Sequence, residues 1–169
     1  DRRPVDRITA FLFSNGGHED PKRLIANNNR SFQGSIILGM GFTFDDSGPA
    51  DEETPGIPSP VSTMKRLISE NSKSSEVIFP YIGGEEVNES PTHEHRRFVV
   101  DFRDRDENEC WEQWPEVMKL LEKKVKPQRQ EKKIDGQFKL SKPLPQKWWL
   151  HCRERPALYS AIKQSKNLV

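Results

Sequence analysis

The sequence predicts an α+β fold: a small mixed or antiparallel sheet with a few helices, forming one domain over residues 1–169. Three observations lead there. Strand-like runs come early, the longest helical periodicity comes late, and 169 residues suffice for one core but not for two. Hydrophobic residues make up 33% and charged residues 31%, a low apolar share for a self-standing globule. That balance suggests long exposed loops, or a piece of a larger multidomain enzyme that leans on the rest of its body.

The first strand is expected over Val5–Phe13, which alternates in polarity until the turn signal Ser14-Asn15-Gly16-Gly17. Ile36–Phe44 also has strand composition, but Gly39 and Gly41 interrupt it. Glycine there signals a bulge or a second backbone approaching closely. Residues 45–60, DDSGPADEETPGIPSP, read as a flexible acidic loop. Ser59 or Ser62 can then cap a helix over 61–70, in which Val61, Met64, Leu67 and Ile68 recur at helical spacing.

Glu76–Ile82 is a short apolar run ended by Gly83-Gly84, and Arg97–Phe102 is the clearest strand. The longest helix is expected from Glu107 to Val125. Trp111, Trp114, Val117, Leu120, Leu121 and Val125 fall on one face of it, and Pro127 ends it. Residues 127–147 read as a basic, polar loop. A last helix is expected from Arg155 to Lys163, with Pro156 in its first turn.

No run approaches the roughly 20 apolar residues of a membrane span. Two cysteines, Cys110 and Cys152, are too few to staple such a domain, which suggests a reducing, cytoplasmic setting. The opening Asp1-Arg2-Arg3-Pro4, with neither Met nor an apolar signal region, reads as an excised or processed piece. His93-Glu94-His95 offers two imidazoles and a carboxylate, but zinc needs three or four ligands at defined spacing, and no second cluster completes the set. No nucleophile is partnered with a base. Gly39-Met40-Gly41 lacks the third glycine of a dinucleotide cradle. Catalytic residues, a metal and a cofactor of the chain's own are therefore not expected.

Charge is the informative property. Residues 1–118 carry 13 Lys/Arg against 22 Asp/Glu, whereas residues 119–169 carry 14 against 4. Such asymmetry points to a polyanion-facing surface in the C-terminal third. Lys123, Lys124 and Lys126 suit the negative end of the long helix. Arg129, Lys132 and Lys133 have no such reason. Trp148-Trp149, preceded by Lys147 and followed by Arg153 and Arg155, interleaves rings with cations. If that segment is extended, one tryptophan packs while the other meets a ligand or another domain. The expected DNA-binding set is Lys126, Arg129, Lys132, Lys133, Lys147, Trp148, Trp149, Arg153 and Arg155.

The blocks also carry a family likeness. Ser31-Phe32-Gln33-Gly34-Ser35 followed by Leu38-Gly39-Met40-Gly41-Phe42 resembles the start of the target recognition region of MmeI-like (type IIG–IIL) enzymes. Those are large bacterial restriction–modification proteins that methylate adenine at N6 using S-adenosylmethionine. The likeness continues in order through Phe79–Asn88, Phe98–Phe102, Val125–Arg129, Trp148-Trp149 and Arg155–Ile162. It spans residues 31–162, and the acidic segment 45–60 looks like an insertion in it.

This resemblance implies a target recognition module that holds double-stranded DNA for the methyltransferase domain of the same chain, in the bacterial cytoplasm. S-adenosylmethionine would belong to the parent enzyme and not to this module. The adenine-holding Asn-Pro-Pro-Tyr/Phe motif is missing, since no Asn here precedes a Pro. In the family the recognition region continues past the last block, so this chain would carry its first part. Two other classes remain open: a protein-interaction domain of the same enzyme, its basic face meeting an acidic domain, and a metal-dependent hydrolase using His93 and His95.

Overall fold

The computed structural model describes residue 4 and residues 23–27, 31–152 and 155–164. The strand and turn expected over residues 5–17 lie outside them. Among the described residues, Thr43–Phe44 (β1), Ile78–Tyr81 (β2) and Arg97–Val100 (β3) form one antiparallel sheet in the order β1–β3–β2. Thr43 faces Val99, and Ile78 faces Val100. The α+β class holds. Central β3 is the strand most plainly written in the sequence, and it buries Arg97, Val99 and Val100. Of the strand-like run 36–44 only the last two residues pair. Met40–Phe42 turns as a 3-10 helix after Gly39, whose φ of 94° suits glycine.

Val61–Glu70 (α1) matches the expected helix and packs Met64 and Leu67 into the core. Its cap does not match. Neither serine caps it; the Val61 N–H is accepted by Asp46 Oδ1 at 2.9 Å. Ser59 is buried and bridges to the sheet instead, donating its N–H to Thr43 O and accepting the Asp45 N–H. Both ends of the acidic segment are therefore tied down. In its middle, Asp51 Oδ1 accepts the Glu53 and Thr54 N–H groups, and those backbone bonds hold its carboxyl well below the usual range.

A short helix over Gly84–Glu89 (α2) follows β2, and nothing in the sequence pattern marks it. The long helix expected from Glu107 to Val125 is two helices, Glu107–Gln113 (α3) and Pro115–Lys124 (α4). Pro115 has no N–H to donate and its ring crowds the carbonyl four residues back, so α3 ends at Trp114 and α4 begins anew. The apolar face survives the break. Trp114, Val117, Met118, Leu121 and Val125 are all buried, and Trp114 Nε1 donates to Lys73 O at 2.8 Å.

Pro127 does not end helical structure either, because it sits in the first turn of Lys126–Arg129 (α5). The loop expected over 127–147 thus starts as a helix and continues as a small hairpin. Lys132 pairs with Phe138, and Lys133 N–H reaches Gln137 O at 2.7 Å. Gly136, at φ 80°, makes the turn. Pro156–Gln164 (α6) closes the described chain as expected, with no buried residue.

The core is one cluster. Phe42, Phe44, Val77 and Phe102 meet Val117, Met118 and Leu121 of α4, with Trp148, Trp149 and Leu150 covering one side. Gly41 is required here, since a Cβ on it would lie 2.5 Å from Lys124 O. This is the close backbone approach that the sequence signalled.

Candidate nucleic-acid interface

The nine expected contact residues do not form one surface. Trp148 and Trp149 are 1% and 8% exposed, and the backbone there turns instead of extending. Opposite-facing side chains are expected only for an extended segment, so that premise fails. Both indoles enter the core, 6.1 Å apart and edge to face. Trp148 Nε1 donates to Glu107 Oε1 at 3.1 Å, and Trp149 Nε1 donates to Arg105 O at 3.0 Å. Each polar edge is satisfied inside the protein, and neither ring is offered to a ligand.

Arg129 is also inside, at 2% exposed. It donates from Nη2 to Leu38 O at 3.0 Å and lies over the Phe42 ring, while Nη1 has no partner. Burial pushes its pKa down. It joins the segment ahead of β1 to α5, which is a packing role. Lys124 is fully buried and donates to Asp51 O at 2.6 Å. Lys126 is half-buried, donating to Glu122 Oε1 at 2.6 Å with its ammonium over Trp148. Arg155 donates to Gln33 Oε1 at 2.9 Å and to Gly34 O. Arg153 lies outside the described residues.

Lys132, Lys133 and Lys147 remain exposed. Lys132 sits over the Phe138 ring at 5.7 Å, and Lys139 across the hairpin pairs with Glu131. Ile134 at the hairpin tip is wholly exposed. Lys142 follows, also exposed. Lys132, Lys133 and Lys142 form no ion pair among the described residues. Lys132 and Lys133 of the hairpin, and Lys142 just after it, thus stand in solvent beside Glu131 and Asp135.

A second polar centre has no counterpart among the sequence expectations. Asp101, at the end of β3, accepts the Arg103 N–H on Oδ1 at 2.8 Å and the Tyr159 hydroxyl on Oδ2 at 3.0 Å. Ser35 Oγ is 3.0 Å from that same hydroxyl. His151 lies 3.9 Å from Asp101 and packs on Phe42, and its side chain is 5% exposed. Burial holds its pKa down, against the pull of Asp101. Beyond β2, Glu86 receives Arg97 Nε and Nη2, both at 2.6 Å, and the Gly83 N–H. Arg97 lowers the Glu86 pKa to about 2. No spacing rule would have found either centre, because their members come from separate elements.

Among the described residues no three His, Cys, Asp or Glu side chains are grouped to hold a metal, and no helix is long and apolar enough to cross a membrane. Burial pushes the Cys110 thiol up to about 12, far from thiolate chemistry. The chain matches no protein-family model, no curated protein and no solved structure.

Proposed function

We propose that this chain is the DNA-contacting part of the target recognition region of a site-specific, S-adenosylmethionine-dependent adenine-N6 DNA methyltransferase, working in the bacterial cytoplasm. Support comes from one observation above all: the blocks that carry the resemblance pack against one another. Arg129 binds Leu38 O, Arg155 binds Gln33 and Gly34, and Tyr159 binds Asp101 and Ser35. Sequence blocks more than a hundred residues apart thus belong to one unit.

Phosphate neutralisation by the exposed lysines of the hairpin gives affinity, and side chains reaching a groove give choice of sequence. The module holds the duplex while the target adenine leaves the stack for a methyltransferase domain of the parent chain. The methyl donor binds in that domain. Here Gly41 lies against Lys124 O and Gly39 against Gln128, so close packing accounts for this glycine pair.

Titrating the chain against short duplexes over a range of salt tests the proposal. Lys132, Lys133 and Lys142 reversed together to Glu should lower the salt slope by roughly 0.9 for each phosphate that is no longer neutralised. An unchanged slope in a folded variant would remove the hairpin from the interface. A second reading, a protein-interaction domain of the same enzyme, draws on the exposed Ile134, Ile82 and Val87. It predicts no salt-dependent duplex binding at all.

A further inference from the structure

The corner after β3 holds an arginine arranged as a binding group. Asp101 N–H donates to Val77 O at 2.9 Å, which anchors the corner to the end of the sheet. The Asp101 carboxylate then fixes the Arg103 backbone, which adopts φ 59°. That left-handed conformation disfavours any side chain, and arginine gains nothing local from it. Its guanidinium carbon lies 5.4 Å from the Phe79 ring centre and 5.5 Å from the Tyr159 ring centre. Two rings, one from β2 and one from α6, thus hold a single planar cation.

Among the described residues its donors are free. From residue 31 onward, every other described arginine donates to the protein: Arg66 to Glu52, Arg96 to Glu85, Arg97 to Glu86, Arg105 to Phe102 O, Arg129 to Leu38 O, Arg155 to Gln33. Arg103 is half-buried, and its guanidinium makes no hydrogen bond and no ion pair among the described residues. Of the nearby carboxylates, Asp101 accepts from Tyr159 and Asp106 caps α3, while the exposed Asp104 makes no ion pair with Arg103. A guanidinium whose protein contacts are aromatic rings keeps its N–H groups for a ligand, and a pre-ordered fork loses little freedom on binding.

We propose that Arg103, in contact with the Phe79 and Tyr159 rings, binds a phosphodiester oxyanion of duplex DNA. The inference rests on the DNA-binding reading and assigns one phosphate ligand within it. A phosphate presents two oxygens to the fork at once, which a lone lysine cannot match.

Arg103→Gly separates binding from structure, because glycine is at ease at this φ. The variant should melt at or above the temperature of the unaltered chain. Its duplex affinity should fall by roughly tenfold or more, with a salt slope lower by about 0.9, whatever the duplex sequence. Arg103→Lys should keep the slope and lose most of the affinity. Unchanged duplex binding by Arg103→Gly overturns this inference and leaves the wider reading standing. A loss confined to one duplex sequence assigns Arg103 to a base edge and overturns the phosphate assignment, and a lower melting temperature overturns it in favour of a structural role. Polyglutamate bound as tightly as duplex would mark an acidic protein as the ligand and overturn it too. Failure of the unaltered chain to bind any duplex removes both readings together.

Discussion

Replacing Glu86 by Gln tests how the connection between β2 and β3 is held. Glu86 and Arg97 are 3% and 8% exposed, joined by two hydrogen bonds of 2.6 Å, with the Gly83 N–H as a third donor to the carboxylate. The side-chain hydrogen bonds from Arg97 are the main reason the Glu86 pKa drops from 4.5 to about 2. At about 1.4 kcal/mol per pKa unit, that lowering corresponds to roughly 3 kcal/mol. A separate route gives a similar size, since removing one partner of a buried pair strands the other charge and costs about 3–5 kcal/mol. Glu86→Gln should therefore lose about 3 kcal/mol near neutral pH, or roughly 6–12 °C of melting temperature for a domain of this size. A carboxyl whose folded pKa is depressed stabilises fully above its unfolded value and loses that contribution as pH falls through the folded value. The window here runs from 4.5 down to about 2. Urea unfolding at about pH 3 should find the difference between variant and parent reduced by roughly half. A loss below about 1 kcal/mol at neutral pH, or one that does not shrink with acid, would refute the reasoning.

Trp148→Ala and Trp149→Ala should each cost about 3–5 kcal/mol, because both rings fill the core. If either variant melts like the parent yet loses duplex binding, that ring belongs on the surface after all. His151 supplies a pH dependence of the opposite sign to a histidine whose pKa a carboxylate partner raises. Burial lowers its folded pKa below the ordinary 6.5, so stability is complete above 6.5 and declines as pH falls below it. The slope there should approach 1.4 kcal/mol per pH unit at most, roughly, and His151→Gln should flatten it in melts taken across that range. An identical pH profile in the variant would mean that His151 does not carry the dependence.

Where local pattern decides, the sequence is readable. α1 declares itself by helical spacing, β3 by its strand composition and α6 by Pro156 in its first turn, whereas β2 shows only as a short apolar run; Gly41 announces the close approach of another backbone. Two departures are also local in origin. Pro115 sits in the middle of the long apolar face and breaks it, and Asp135-Gly136 is a turn signal inside a stretch that otherwise reads as shapeless loop. The interface misleads for a different reason. Charge counting cannot tell Arg129, which closes the core under Leu38, from Lys133, which stands in solvent. That distinction is made only by tertiary packing. The tryptophan pair departs because its backbone is not extended, and Arg103 gives no signal within the charged run Arg103–Asp106.

The hairpin has a consequence for how such a protein changes over generations. Within residues 131–139 only Phe138 is even half-buried. Apart from Gly136, whose φ of 80° favours glycine, replacement or lengthening of the tip therefore disturbs no packing, and surface changes of that kind usually cost under about 0.5 kcal/mol. Arg129, two residues before it, has no such freedom. A lineage can rewrite the lysines and Ile134 while the fold beneath stays still, so new binding chemistry can be sampled at a tip whose mutations are almost neutral for survival of the structure.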